Sequence, residues 1–236
     1  MTLLLNRSDS TESPPTHRHP ALQMNFPTEI LDRLRKSGVV AGFSVDNVEH
    51  AIPLAKALLA GGIDAIELTL RTPAGLESIK AICDNVPDML VGVGTILTPE
   101  TAVEVKEAGA DFGVAPGMNP RVVRAAREAG LPFAPGIATP SDLEAAIERG
   151  CRFVKFFPAE PVGGIKYLRS MAAPYQHLGI EYFPLGGINA DNMSSYLREP
   201  NVPAVGGSWI VQKDLVDRKD WSGITERAAA VFNRTN

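Results

Sequence analysis

The sequence predicts a (β/α)8 TIM barrel preceded by an N-terminal helix. Three observations predict it. Eight short apolar runs alternate with stretches of helical period; the joining turns repeat one plan; and 236 residues suit one barrel of this kind.

The first 25 residues stand apart. Asn6 to about Pro20 is rich in Ser, Thr, Pro and His, and such a segment buries too little apolar surface to offset its ordering entropy. Residues 1–25 are therefore expected to form a flexible extension, with residues 26–236 as the barrel. His17 and His19 fall in the extension without other metal-ligand types beside them. The apolar run Leu3-Leu4-Leu5 ends at Asn6 and Arg7, too short for a secretory signal.

A helix is expected from Thr28 to Lys36, with Ile30, Leu31 and Leu34 on one face and Gly38 as its stop. The strands then expected are Val39–Val45, Ala65–Leu70, Leu90–Val93, Phe112–Ala115, Pro132–Ala134, Arg152–Phe156, Glu181–Pro184 and Ala204–Val205. Their continuous apolar character fits strands buried on both faces under helices. Helical periods lie between them, as in Val48–Ala60. Each unit spans roughly 20 residues, near the lower limit for a parallel crossover. Eight such units favour a closed barrel over an open sheet.

Three turns repeat: Val93-Gly94-Thr95-Ile96-Leu97-Thr98-Pro99, Ala115-Pro116-Gly117-Met118-Asn119-Pro120 and Ala134-Pro135-Gly136-Ile137-Ala138-Thr139-Pro140. Thr98, Asn119 and Thr139 read as helix N-caps, each followed by Pro at the first helical position. These turns follow strand ends, where a barrel of this type carries its chemistry.

Composition excludes several classes of function. Hydrophobic residues are 44% and charged residues 21%, with a formal net charge of −4 and no long basic run, so nucleic acid is not an expected partner. No apolar stretch reaches membrane-spanning length, and the cytoplasm is the default location. Cys83 and Cys151 sit in apolar surroundings and read as reduced core residues.

Lys155 stands inside the apolar strand Arg152-Phe153-Val154-Lys155-Phe156. Burial disfavours an ammonium, and a neutral amine can attack a ketone to form a Schiff base. A lysine that snorkels or pairs with a carboxylate is the competing reading, and both stand open on spacing alone. Glu67 lies in Ala65-Ile66-Glu67-Leu68-Thr69-Leu70-Arg71, where Glu67, Thr69 and Arg71 share one side at period two. A Glu67–Arg71 ion pair sealing the barrel competes with a proton-transfer role, although a buried ion pair is a poor route to stability. Gly186-Gly187, before Asn189-Ala190-Asp191 as a helix start, and Gly206-Gly207-Ser208 follow the last two strands. There glycines either serve tight turns or let backbone N–H groups approach a phosphate. Neither pair matches a Rossmann or P-loop pattern. Asp46, Asp142 and Asp191 read as loop or helix-start residues, and Trp209 as a packing anchor. Metal-ligand spacing is absent, and neither a metal nor another cofactor is expected.

At these residues the sequence resembles the 2-keto-3-deoxy-6-phosphogluconate / 4-hydroxy-2-oxoglutarate aldolase family, the class I, Schiff-base aldolases of the Entner–Doudoroff route of carbohydrate metabolism. The resemblance runs from about Val39 to Val211. It rests on Glu67-Leu68-Thr69-Leu70-Arg71-Thr72, Val91-Gly92-Val93-Gly94-Thr95, Ala115-Pro116-Gly117, Pro135-Gly136-Ile137, Lys155-Phe156-Phe157-Pro158-Ala159-Glu160, Gly186-Gly187-Ile188 and Gly206-Gly207-Ser208-Trp209, in that order. It implies Lys155 as the Schiff-base lysine and Glu67 as general acid/base. It implies Arg71 and Thr95 on the pyruvate carboxylate, Pro116 and Phe157 lining the pocket, and Gly186, Gly187, Gly207 and Ser208 at the phosphate or distal end. The implied partner is a keto-acid substrate, phosphorylated or not, and the implied assembly is a homotrimer.

Two departures leave the substrate open. Family members often carry a basic residue in or just after the first strand; here Val40-Ala41-Gly42-Phe43-Ser44-Val45 runs into Asp46. Phosphogluconate-type members often carry Thr before the glycine pair; here it is Leu185, which cannot hydrogen-bond a substrate hydroxyl. A 2-keto-3-deoxy-6-phosphogalactonate aldolase, a phosphosugar isomerase or epimerase using Glu67 as base, and a non-catalytic metabolite-binding barrel are the alternatives.

Overall fold

The structure is a computed structural model and describes residues 26–235. The expected extension over residues 1–25 lies outside the described residues. Helix α1 (Thr28–Ser37) ends where Gly38 turns left-handed (φ 66°) and donates its N–H to Leu34 at 2.8 Å, since glycine has no Cβ to clash there.

Nine strand segments follow: β1 (Val39–Phe43), β2 (Ala65–Thr69), β3 (Leu90–Gly94), β4 (Phe112–Val114), β5 (Phe133–Ala134), β6 (Gly136–Ile137), β7 (Phe153–Phe156), β8 (Glu181–Pro184) and β9 (Val205–Gly207). All pairings are parallel. One sheet runs β5-β4-β3-β2-β1-β9 and the other β6-β7-β8. A Leu185–Gly206 bridge joins β8 to β9, and β5 and β6 are two halves of one stave. Eight staves therefore close a barrel, as expected.

The fifth stave departs from the single strand expected at Pro132–Ala134. Pro135 has no N–H to give the ladder, so pairing passes from β4 below it to β7 above it. Gly136 lies hard against the turn after β4: a Cβ on it would meet the Pro116 carbonyl carbon at 2.2 Å. The eighth strand begins at Val205 and runs on through Gly207, past the expected end at Val205.

Strand alternation sorts the core into two layers. Val40, Ala65, Leu90, Phe112, Phe153 and Phe183 fill the barrel interior, and Phe26, Ile30, Leu31 and Leu34 close its lower end. Val39, Ala41, Ile66, Leu68, Val91 and Val154 face the helices. Glu67 stands two residues above Ala65, and Lys155 two above Phe153, so both point inward over an apolar floor.

The repeated turn holds. Thr98 accepts from Thr101 N–H, Asn119 from Arg121 N–H, and Thr139 forms a reciprocal capping box with Asp142. Each helix begins with the predicted proline. These caps fix three successive strand-to-helix turns at the upper rim.

Candidate active site

Lys155 Nζ donates to Glu67 Oε1 at 2.6 Å, and both residues are about 95% buried or more (5% and 3% exposed). Lys155 therefore does pair with a carboxylate, and its partner is the second candidate residue. The expected alternative, a Glu67–Arg71 ion pair, is not the one formed. Burial penalises an ammonium and a carboxylate alike, so moving one proton from Nζ to Oε1 removes both charges together and leaves the free amine that carbonyl attack needs. Nζ also lies 5.1 Å from the centroid of the Phe157 ring, which walls the site.

Glycines make room for this pair. A Cβ on Gly94 would fall 2.2 Å from Glu67 Oε1, and one on Gly42 would fall 3.4 Å from Oε2. The barrel register places Glu67 between Gly42 and Gly92, both without side chains. Gly94→Ala should thus displace the carboxylate from Nζ. We expect kcat to fall about 100-fold or more, as when a proton-transfer group is lost, with the thermal transition still cooperative. Steady-state kinetics and calorimetry check this.

Above the pair opens a cavity of about 1060 Å³. Arg71, Phe157, Gly186, Gly187, Gly207 and Ser208 line it together with Lys155 and Glu67, so eight of the ten expected site residues meet there. Arg71 is exposed at the rim, two residues beyond buried Thr69, whose hydroxyl donates to the Phe43 carbonyl at 3.2 Å. Thr95 and Pro116 are not among the cavity's lining residues. Thr95 sits at the end of β3 in the left-handed region (φ 67°), a conformation that costs a β-branched residue of the order of 1–3 kcal/mol. Pro116 packs against Gly136, the residue paired in register with Lys155, and so supports β7 from beside it.

The glycine pairs serve close packing at least. Gly186 (φ 94°) and Gly187 (φ 82°) are left-handed, and Cβ atoms there would lie 2.9 Å from Pro158 Cα and 2.6 Å from Glu160 Cβ. The loop is pinned by Ala159 and Glu160 N–H groups donating to the carbonyls of Leu185 and Gly186 at 2.7 and 2.9 Å. The helix expected to start at Asn189–Asp191 begins later, at Met193, because the Asn189 side chain accepts from Asp191 and Asn192 N–H groups and holds a turn instead.

Three residues escaped the sequence reading. Trp209, expected only to pack, lines the cavity, and its ring occupies the space a Cβ on Gly207 would need. Asp46, expected to be a plain loop residue, lines it too, as does Lys213. Each lies just past a strand end, which is the one cue in the sequence that could have marked them. Cys83 and Cys151 lie outside the site, and burial pushes both thiols up to about 11, which keeps them protonated.

Comparison with known proteins identifies the family. The family model for KDPG and KHG aldolase matches residues 30–227. The chain is 40% identical over 202 residues to a 2-dehydro-3-deoxy-phosphogluconate aldolase of Haemophilus influenzae, covering 85% of this chain and 94% of that protein. It is 41% identical over 204 residues to the KHG/KDPG aldolase of Escherichia coli, covering 86% and 95%. Among solved structures it is similar to the KDPG aldolase of Legionella pneumophila with pyruvate captured as a covalent carbinolamine intermediate. That match has a TM-score of 0.80 and 38% identity, over 84% of this chain and 96% of that one. A family model spanning most of the chain, relatives near two-fifths identity and a shared barrel together place this chain in the KDPG and KHG aldolase family.

Proposed function

We propose that this protein cleaves a 2-keto-4-hydroxy acid, 2-keto-3-deoxy-6-phosphogluconate or 4-hydroxy-2-oxoglutarate, reversibly to pyruvate and an aldehyde. The observation that carries the reading is the 2.6 Å contact between Lys155 Nζ and Glu67 Oε1 on the floor of the large cavity. Glu67 takes the Lys155 proton, and the free amine adds to the C2 carbonyl. Glu67 returns that proton to the resulting oxygen and then relays one proton from the nitrogen to the hydroxyl so formed, so that water departs and a cationic iminium remains. The C3–C4 bond then breaks. Its electron pair flows into the iminium to give an enamine, while Glu67 accepts the C4 hydroxyl proton. Glyceraldehyde 3-phosphate or glyoxylate leaves. The enamine takes a proton at C3, and water adds to the iminium and releases pyruvate from Lys155. Arg71, with its planar fork, suits the carboxylate. Phe157 flanks the reacting carbons, Pro116 braces Gly136 beside Lys155 from outside the cavity, and Gly186, Gly187, Gly207 and Ser208 face the distal end. A homotrimeric assembly and a cytoplasmic location belong to the same reading; among the described residues no helix is long and apolar enough to cross a membrane.

Pyruvate release from 2-keto-3-deoxy-6-phosphogluconate, its galactose-series epimer and 4-hydroxy-2-oxoglutarate tests the reading. Turnover of the first or the third is expected, and pyruvate from none of them contradicts it. Leu185 is buried at the cavity wall with its side chain against Gly206, and it offers no hydrogen bond to a C4 hydroxyl. The wild type should therefore discriminate weakly between the two C4 epimers. Leu185→Thr should raise the ratio of kcat/KM values about tenfold, because polar recognition rejects a misplaced hydroxyl more strongly than apolar contact does.

A further inference from the structure

We propose that Lys213 is a specificity-determining residue that binds the anionic far end of the substrate, and that Asp46 holds and competes for it; this rests on the aldolase reading above. Asp46 lies in the loop after β1. Lys213 opens the short helix after β9, and β1 and β9 are neighbours in the barrel. Both line the cavity that contains Lys155. Lys213 Nζ contacts Asp46 Oδ2 at 2.7 Å and Asp217 Oδ1 at 3.1 Å. The hydrogen bond it donates to Asp46, then the one it donates to Asp217, holds its pKa above the ordinary lysine value, so it is cationic throughout the neutral range.

The charges around the cavity single it out. Once Lys155 is assigned to the carbonyl and Arg71 to the carboxylate, Lys213 is the fixed positive charge left among the described lining residues. The loop after β1 offers Ser44 and then Asp46, and neither it nor β1 holds an Arg or Lys. A phosphate or carboxylate at the distal end thus finds its cation on the wall after β9. The ion pair with Asp46 is weakly held, since the two side chains are 71% and 66% exposed and water screens them. An incoming anion can take over Asp46's place on Nζ without disturbing a buried contact. Asp214 and Asp217 also line this end, and Asp214 is occupied by Arg218 at 3.1 Å. The site therefore balances one cation against nearby carboxylates, and the ammonium decides whether an anionic tail is accepted.

The experiment compares KM and kcat for the two anion-tailed substrates with those for unphosphorylated 2-keto-3-deoxygluconate, whose tail is neutral. Lys213→Met should raise KM about tenfold for the anionic tails relative to the neutral one, the size expected for a lost charge-assisted contact. Lys213→Arg should restore most of it. Asp46→Asn should lower KM for the anionic tails. A Lys213→Met variant whose KM ratio matches wild type overturns the inference, as does an Asp46→Asn variant with unchanged or higher KM. Borohydride trapping of pyruvate on wild-type protein separates the two levels. Failure there overturns the catalytic reading and this inference with it; unchanged KM ratios with trapping intact overturn this inference alone.

Discussion

Replacing Lys155 with methionine should abolish aldol cleavage, with kcat expected to fall roughly 10⁵-fold, the scale on which a covalent nucleophile is missed. Methionine keeps most of the side-chain volume on a strand where Phe153, Val154 and Phe156 are buried on either side. The loss is therefore chemical rather than a cavity effect. Lys155→Arg should fare no better, because a guanidinium stays charged and does not add to a carbonyl. Pyruvate release followed continuously, with the thermal transition as control for folding, measures the effect. A methionine variant retaining a tenth of wild-type kcat would mean that cleavage proceeds without a Schiff base on Lys155.

The second large effect is on stability. Lys155 and Glu67 satisfy one another inside the barrel, at 6% and 4% side-chain exposure. Removing either one strands a buried charge, and such losses cost about 3–5 kcal/mol. Removing both leaves an apolar interior continuous with Phe153, Phe183 and Leu90 beneath it. Urea titrations of Lys155→Met, Glu67→Leu and the double variant should show two destabilised singles and a double within about 1 kcal/mol of wild type or above it. Additive losses would show that the two side chains are not energetically coupled, which contradicts a buried pair in which each satisfies the other.

Much of this site can be read from the chain because charged residues in apolar strands are conspicuous. Glu67 and Lys155 interrupt runs that otherwise face only core, and period two then assigns Thr69 and Arg71 to the same side as Glu67. The repeated N-cap and proline turn marks the upper rim without reference to any strand pairing. Other features depend on closure. Asp46 and Lys213 are 167 residues apart and meet only because β1 pairs with β9. The split of the fifth stave needs the partner strands on each side of Pro135 to be known, so local propensity shows one short strand there. Nothing in a β-branched residue marks Thr95 for a left-handed backbone; that conformation is imposed by the turn between β3 and the helix that Thr98 caps. Trp209 reads as packing from sequence because an aromatic after a glycine pair is usually that, and here one face packs while the residue also borders the cavity.

The account stands on the nucleophile. Incubation with pyruvate followed by borohydride, then peptide mapping by mass spectrometry, should place one reduced pyruvate adduct on Lys155 and none on the Lys155→Met variant. An adduct on another lysine, or no adduct on active wild-type enzyme, would contradict it.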